Sequence, residues 1–185
     1  MLNEIVISES LTLSPITEDD ADPLFALIDK NRSHLKEWLP WLDFNTTADD
    51  SAAFIDRSIQ TATNNTAHVL TITYQNSLCG IIGFNAIESL HGVCEIGYWI
   101  DAEHQGFGII TRSVTTLINT AFKDLKLNKV CIPVAELNTK SRKVPERLGF
   151  KIEGIAREAE WLYDHYVDHV LYALLKSEWQ NSHGS

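Results

Sequence analysis

The chain has 185 residues, with 25 acidic against 15 basic side chains and a formal charge of −10. That balance excludes a general nucleic-acid binder, whose footprint is a basic surface; it suits either a cationic acceptor or simply a well-solvated protein. An apolar content of 44% over this length predicts a single domain, residues 1–185, with a full hydrophobic core.

Residues near 10–16 form a short first strand. Thr17-Glu-Asp-Asp20 is a helix-start signal, followed by Leu24, Leu27 and Ile28 at helical spacing, and Thr47-Ala-Asp-Asp50 repeats it before Phe54, Ile55 and Ile59. Between them lies Glu37-Trp38-Leu39-Pro40-Trp41-Leu42, too aromatic for an ordinary surface loop. Three antiparallel strands follow at about 67–74, 79–87 and 93–100, with turns at Asn76-Ser77 and Leu90-His91-Gly92. Ile110, Val114, Leu117, Ile118, Ala121 and Phe122 then make one apolar stripe of a central helix. Lys129–Val134 is a fifth main strand. The next helix begins close to Ser141, with Pro145 expected in its first turn and Gly149 as its C′ residue. Strands at about 150–160 and 167–175 close a mixed α/β layer.

No apolar run approaches the ~20 residues needed to span a bilayer. The N-terminus lacks the basic and apolar regions of a signal peptide, which predicts a cytoplasmic protein with no membrane partner. Cys79, Cys94 and Cys131 fall inside predicted strands without CxxC spacing and read as small buried hydrophobes. His165 and His169 are four apart, but their surroundings alternate like a strand and no third ligand completes a metal set.

The chemistry concentrates in two segments. Gln105-Gly-Phe-Gly108-Ile-Ile-Thr111 follows a strand and opens a helix, a place where glycine lets the backbone approach a phosphate and the helix dipole favours it. Such a turn alone has an equally good steric explanation. About thirty residues on comes Asn138-Thr-Lys-Ser141-Arg-Lys-Val144-Pro-Glu-Arg-Leu-Gly-Phe150.

Together the two segments resemble the GNAT superfamily of acetyl-CoA-dependent N-acetyltransferases. With Glu95-Ile-Gly-Tyr-Trp-Ile100 and the paired tryptophans near residue 40, they are similar to its RimJ/RimL branch, which acetylates N-terminal amines of ribosomal proteins. Ile110 departs from the small residue many members carry. The resemblance implies a mixed, mostly antiparallel central sheet, splayed between two central strands and flanked by helices. It also implies acetyl-CoA as acetyl donor, and a homodimer. The pyrophosphate would take the backbone N–H groups of Gly106, Phe107, Gly108, Ile109, Ile110 and Thr111, with Gln105 closing over it. Pantetheine would lie along Tyr98, Trp99 and Ile100 on one side and Asn138 on the other.

Ser141 is the candidate donor to the departing thiolate, or alternatively only a helix cap. For the base, Glu160 and Glu95 are both candidates; the resemblance to this branch ranks Glu160 first, against a reading of both as solvent-facing strand carboxylates. Trp38, Trp41 and Tyr98 line the acceptor side or belong to the core. Gly97 is either a bulge that splays the strands or a site of close helix packing. The acceptor reads as a protein N-terminus, possibly ribosomal. The alternatives are a small amine such as a polyamine, amino acid or aminoglycoside, or a CoA-binding module without turnover.

Overall fold

The structure, a computed structural model, describes residues 2–183. Its first strands, β1 (Ile5–Ser8) and β2 (Leu11–Pro15), lead into α1 (Ala21–Lys30), α2 (Arg32–Lys36) and α3 (Ala48–Thr63). Then come β3 (His68–Tyr74), β4 (Ser77–Glu88), β5 (Val93–Ile100) and α4 (Ile109–Asn119). The chain closes with β6 (Lys129–Ala135), α5 (Thr139–Arg147), β7 (Lys151–Leu162), β8 (His165–Leu175) and α6 (Lys176–His183). The strand at 11–15 is therefore the second; β1 precedes it, too short to carry a convincing alternation of its own.

Helix starts follow the local chemistry. At α3 the Asp50 N–H donates to Thr47 Oγ1 at 3.3 Å, and the Thr47 N–H donates back to the Asp50 carboxylate at 2.9 Å. Two orphan donors are thereby satisfied reciprocally. The β3–β4 turn is Gln75-Asn76, one residue earlier than the sequence suggested. Both residues adopt positive φ, 49° and 64°, as a two-residue turn matched to strand twist requires, so Ser77 already belongs to β4.

One sheet runs in the order β1-β2-β3-β4-β5-β6-β8-β7. Every neighbouring pair is antiparallel except β5 and β6. Because strand side chains alternate, the sheet carries two cores. On one face Leu24 and Ile28 of α1, Leu35 of α2 and Ile55 of α3 pack with Ile81. On the other, Ile109, Val114, Leu117 and Ile118 of α4 pack against Leu70, Ile72, Ile82, Ile96 and Val130. The α4 stripe is thus centred on Ile109, and Ile110 sits half-buried at its margin. A π-helical turn at Thr120–Asp124 extends the helix and keeps Ala121 and Phe122 buried.

Two expectations are corrected. Gly97 is no bulge: it pairs regularly with Gly83, and the extra residue is Asn85 on β4, between the pairs Phe84↔Ile96 and Ala86↔Glu95. A Cβ on Gly97 would meet the Asn85 side-chain amide at 2.4 Å, so the glycine makes room for the bulged residue. Pro145 lies in the interior of α5, past its first turn, and Gly149 follows as expected with φ 79°.

Candidate active site

The centre of the sheet opens. β5 and β6 pair only at Val93↔Lys129, Cys94↔Val130 and Glu95↔Cys131. Beyond these the strands part, and Ile96–Trp99 and Ile132–Ala135 border a cavity of about 580 Å³. Backbone groups on the two facing edges have no partner across the gap, and a chain of amides such as pantetheine can supply them. Among the expected site residues, Trp38, Trp41, Glu95, Tyr98, Trp99, Asn138, Ser141 and Glu160 all reach this one cavity.

At the end of β5 the chain turns toward α4 on a buried carboxylate. Asp101, 1% exposed, accepts from the Glu103 N–H, from His104 Nδ1 at 2.9 Å and from Lys30 Nζ at 3.3 Å. Burial alone would raise its pKa; the hydrogen bonds from His104, Glu103 and Lys30 outweigh that and hold it below the ordinary carboxylate value. Gln105 is held by its side chain, whose amide donates to His34 at 2.8 Å and whose oxygen accepts from Lys140 at 3.2 Å. Gly106 and Gly108 then take φ 84° and 71°, with Gly108 the N-cap of α4. A Cβ on either would meet nothing within 4 Å, so the glycines serve conformation and leave an open surface.

The N–H groups of Ile109, Ile110 and Thr111 lie in the first helical turn and have no intrahelical acceptor. Phe107 is exposed beside them. Two cations of α5 lean over this loop: Lys140 on Gln105, and Arg147 on the Thr111 hydroxyl at 3.3 Å. The loop can therefore hold a pyrophosphate by N–H groups, a helix dipole and nearby positive charge, in a chain that is acidic overall.

Asn138, not Ser141, is the cap of α5: its Oδ1 accepts from the Ser141 N–H at 3.1 Å. That frees the Ser141 hydroxyl, which donates to the Tyr98 hydroxyl at 3.2 Å. Tyr98 in turn donates to the Ser141 carbonyl, also at 3.2 Å. The carbonyl is available because the residue four positions on is Pro145, which has no N–H to give it. The interior proline thus opens a backbone acceptor that a tyrosine from across the slit occupies. Burial pushes the Tyr98 phenol up to about 12, partly opposed by the Ser141 bond, so the hydroxyl keeps its proton.

The far side of the cavity is aromatic, but Tyr98 belongs with Ser141. The ring beside Trp41 is Trp99, centroid to centroid 6.5 Å, because adjacent residues on β5 point to opposite faces. Trp38 and Trp41 are half-buried against the cavity. Glu95 accepts from Asn85 Nδ2 at 3.2 Å. Glu160 stands on β7 beyond a wide irregularity: Ala156 pairs with His169, and the next pair is Glu160↔Val167. Glu158 inside it has φ 50°, its N–H donating to the Asp168 carboxylate at 2.7 Å. The extra residues set Glu160 beside His169, Oε2 to Nε2 3.5 Å. Asn85, Lys140 and Arg147 escaped the sequence reading, and His169 was read there only as a strand residue beside His165. The basic run around Lys140 and Arg147 was a visible signal; for His169 and Asn85 the signal depends on bulges. Among the described residues no group of side chains is arranged to hold a metal ion, and no helix is long and apolar enough to cross a membrane.

A strand–glycine–helix loop beside a split sheet defines an acyl-CoA-dependent transferase fold, and the acetyltransferase (GNAT) domain profile matches residues 10–151. The chain belongs to the GNAT acetyltransferase family and is an acetyl-CoA-dependent N-acetyltransferase. It is 39% identical over 176 residues to the putative ribosomal N-acetyltransferase YdaF of Bacillus subtilis, covering 94% of this chain and 96% of that protein. It is 36% identical over 173 residues to the ribosomal-protein-serine acetyltransferase of Escherichia coli, covering 94% and 97%. Among solved structures, RimL, a ribosomal α-N-protein acetyltransferase in complex with coenzyme A, superposes with a TM-score of 0.91 at 28% identity, covering 95% of this chain and 99% of that one.

Proposed function

We propose that this chain, acting as one domain in the cytoplasm, acetylates the N-terminal α-amine of a protein, with ribosomal proteins the leading substrates. The observation that carries the reading is the aromatic groove of Trp38, Trp41 and Trp99 meeting Glu160 at the slit, a shape for an extended chain end. The named activities of the relatives support the same acceptor. The N–H groups of residues 106–111 hold the pyrophosphate, with Gln105, Lys140 and Arg147 around it. Glu160 draws a proton from the amine, with Glu95 second because Asn85 already engages it. Ser141 donates to the thiolate as the C–S bond breaks. The homodimer finds support in exposed Ile152, Ile155, Trp161 and Tyr166 on β7 and β8.

Thiol release measured with peptides beginning Ser or Ala, against spermidine and other small amines, tests the acceptor. Peptides should turn over faster; faster spermidine turnover moves the protein to the small-amine class. In the same assay Ser141→Ala should lower kcat by about 10²-fold with little change in KM, since the bond strengthens only as charge develops on sulfur. A parental kcat would reduce Ser141 to a partner of Tyr98.

A further inference from the structure

The alternation around His169 makes it a strand residue, and the fold turns that strand position into a cavity position. Its Nε2 lies 3.5 Å from Glu160 Oε2, with side-chain exposures of 19% and 30%. Its cross-strand neighbours are Ala135 on β6 and Ala156 on β7, so the imidazole has small residues on both flanks. Glu160 reaches it only through the irregularity at 157–159, which the Glu158–Asp168 bond fixes. The other charged groups lining the cavity are Glu95 from β5 and Asp50 and Arg57 from α3. Of all these groups, His169 alone combines contact with Glu160 and a nitrogen base.

We propose that His169 is a proton-relay residue that acts through Glu160, receiving the proton which Glu160 draws from the acceptor amine and passing it to solvent. The proposal rests on Glu160 being the base. The balance is that of an ammonium acceptor: it gives one proton to Glu160, and the free amine forms the C–N bond. The C–S bond breaks with its electron pair on sulfur, and the amide nitrogen sheds its second proton. The thiolate takes up one proton, and the remaining one leaves by His169. Without an outlet, a protonated Glu160 would block the next cycle. His169 beside it, reaching solvent, is that outlet.

The test uses the whole protein with acetyl-CoA and a Ser-initiated peptide. His169→Ala should lower kcat about tenfold or more with unchanged CoA affinity, and added imidazole should restore it. Among substituted imidazoles of similar size, rescue should rise with basicity. His169→Gln, whose amide can still donate to Glu160 but cannot take up and release a proton, should show the same loss. In a Glu160→Gln background, His169→Ala should add nothing. A parental kcat in either His169 variant, recovery in His169→Gln, or rescue independent of basicity would overturn the relay. Should His169→Ala lose its fold, His169→Gln decides alone. Parental activity in Glu160→Gln is a different result: it removes the base assignment itself.

Discussion

Gly106 and Gly108 hold left-handed backbone where no neighbouring atom crowds a Cβ. Gly108→Ala should therefore cost the fold only about 1–2 kcal/mol, the conformational penalty of an L-residue there. It should cost CoA much more, because relaxing φ turns the N–H groups away from the phosphate and a methyl group fills the approach. Calorimetry should show CoA affinity down at least tenfold beside a modest drop in denaturation midpoint. Unchanged affinity would remove the loop from the phosphate site. At this scale the sequence was legible where residue type dictates conformation: the two glycines, Asn138 as a cap candidate, Gly149 as a helix stop. It was illegible where role depends on a neighbour. Ser141 is half of a pair whose other half lies 43 positions away, and Gly97 answers to a bulge on the adjacent strand.

Elements were easier to read than their irregularities. The α3 capping box, the α4 stripe and the strands at 68–74 and 93–100 follow from periodicity, which is local. The Asn85 bulge and the 157–159 irregularity follow from pairing, which is not, and together they aim Asn85, Glu160 and His169 into the cavity. The turn between β5 and α4 is an element held by one carboxylate, and that gives it a pH signature. Asp101 has a folded pKa below its unfolded value of roughly 3.9. Its contribution is thus present above that unfolded value and is lost as pH falls through the folded one. Asp101→Asn should destabilise by about 2 kcal/mol at neutral pH, the scale for stripping a buried charged acceptor from its donors. Urea melts of parent and variant should begin to converge as pH falls below about 4 and meet only below the folded pKa of Asp101. A gap that persists there would assign the loss to shape, not charge.

For the whole molecule, the sheet is two paired blocks, β1–β5 and β6–β8–β7, joined by three residue pairs. A ligand lying between them touches both blocks and the start of α4, so binding should stabilise the folded state globally. At a CoA concentration 100 times Kd, linkage gives about 2.7 kcal/mol, or a rise in Tm of roughly 5–10 °C for a chain of this size. Differential scanning calorimetry would show it, and a rise absent with CoA present in such excess would contradict binding in the slit.

The same split leaves two strand edges in the middle of a sheet, where most proteins have none. Open edges invite strand addition by other chains, and natural sheets blunt them with charge, proline or a covering element. Here β6 carries Pro133 at the divergence, and the paired bonds between Tyr98 and Ser141 tie β5 to the start of α5, which follows β6. If Ser141 serves as proposed, one pair of hydrogen bonds both places its hydroxyl and obstructs strand addition at the open edges, so Tyr98→Phe should raise the aggregation rate as well as lower turnover.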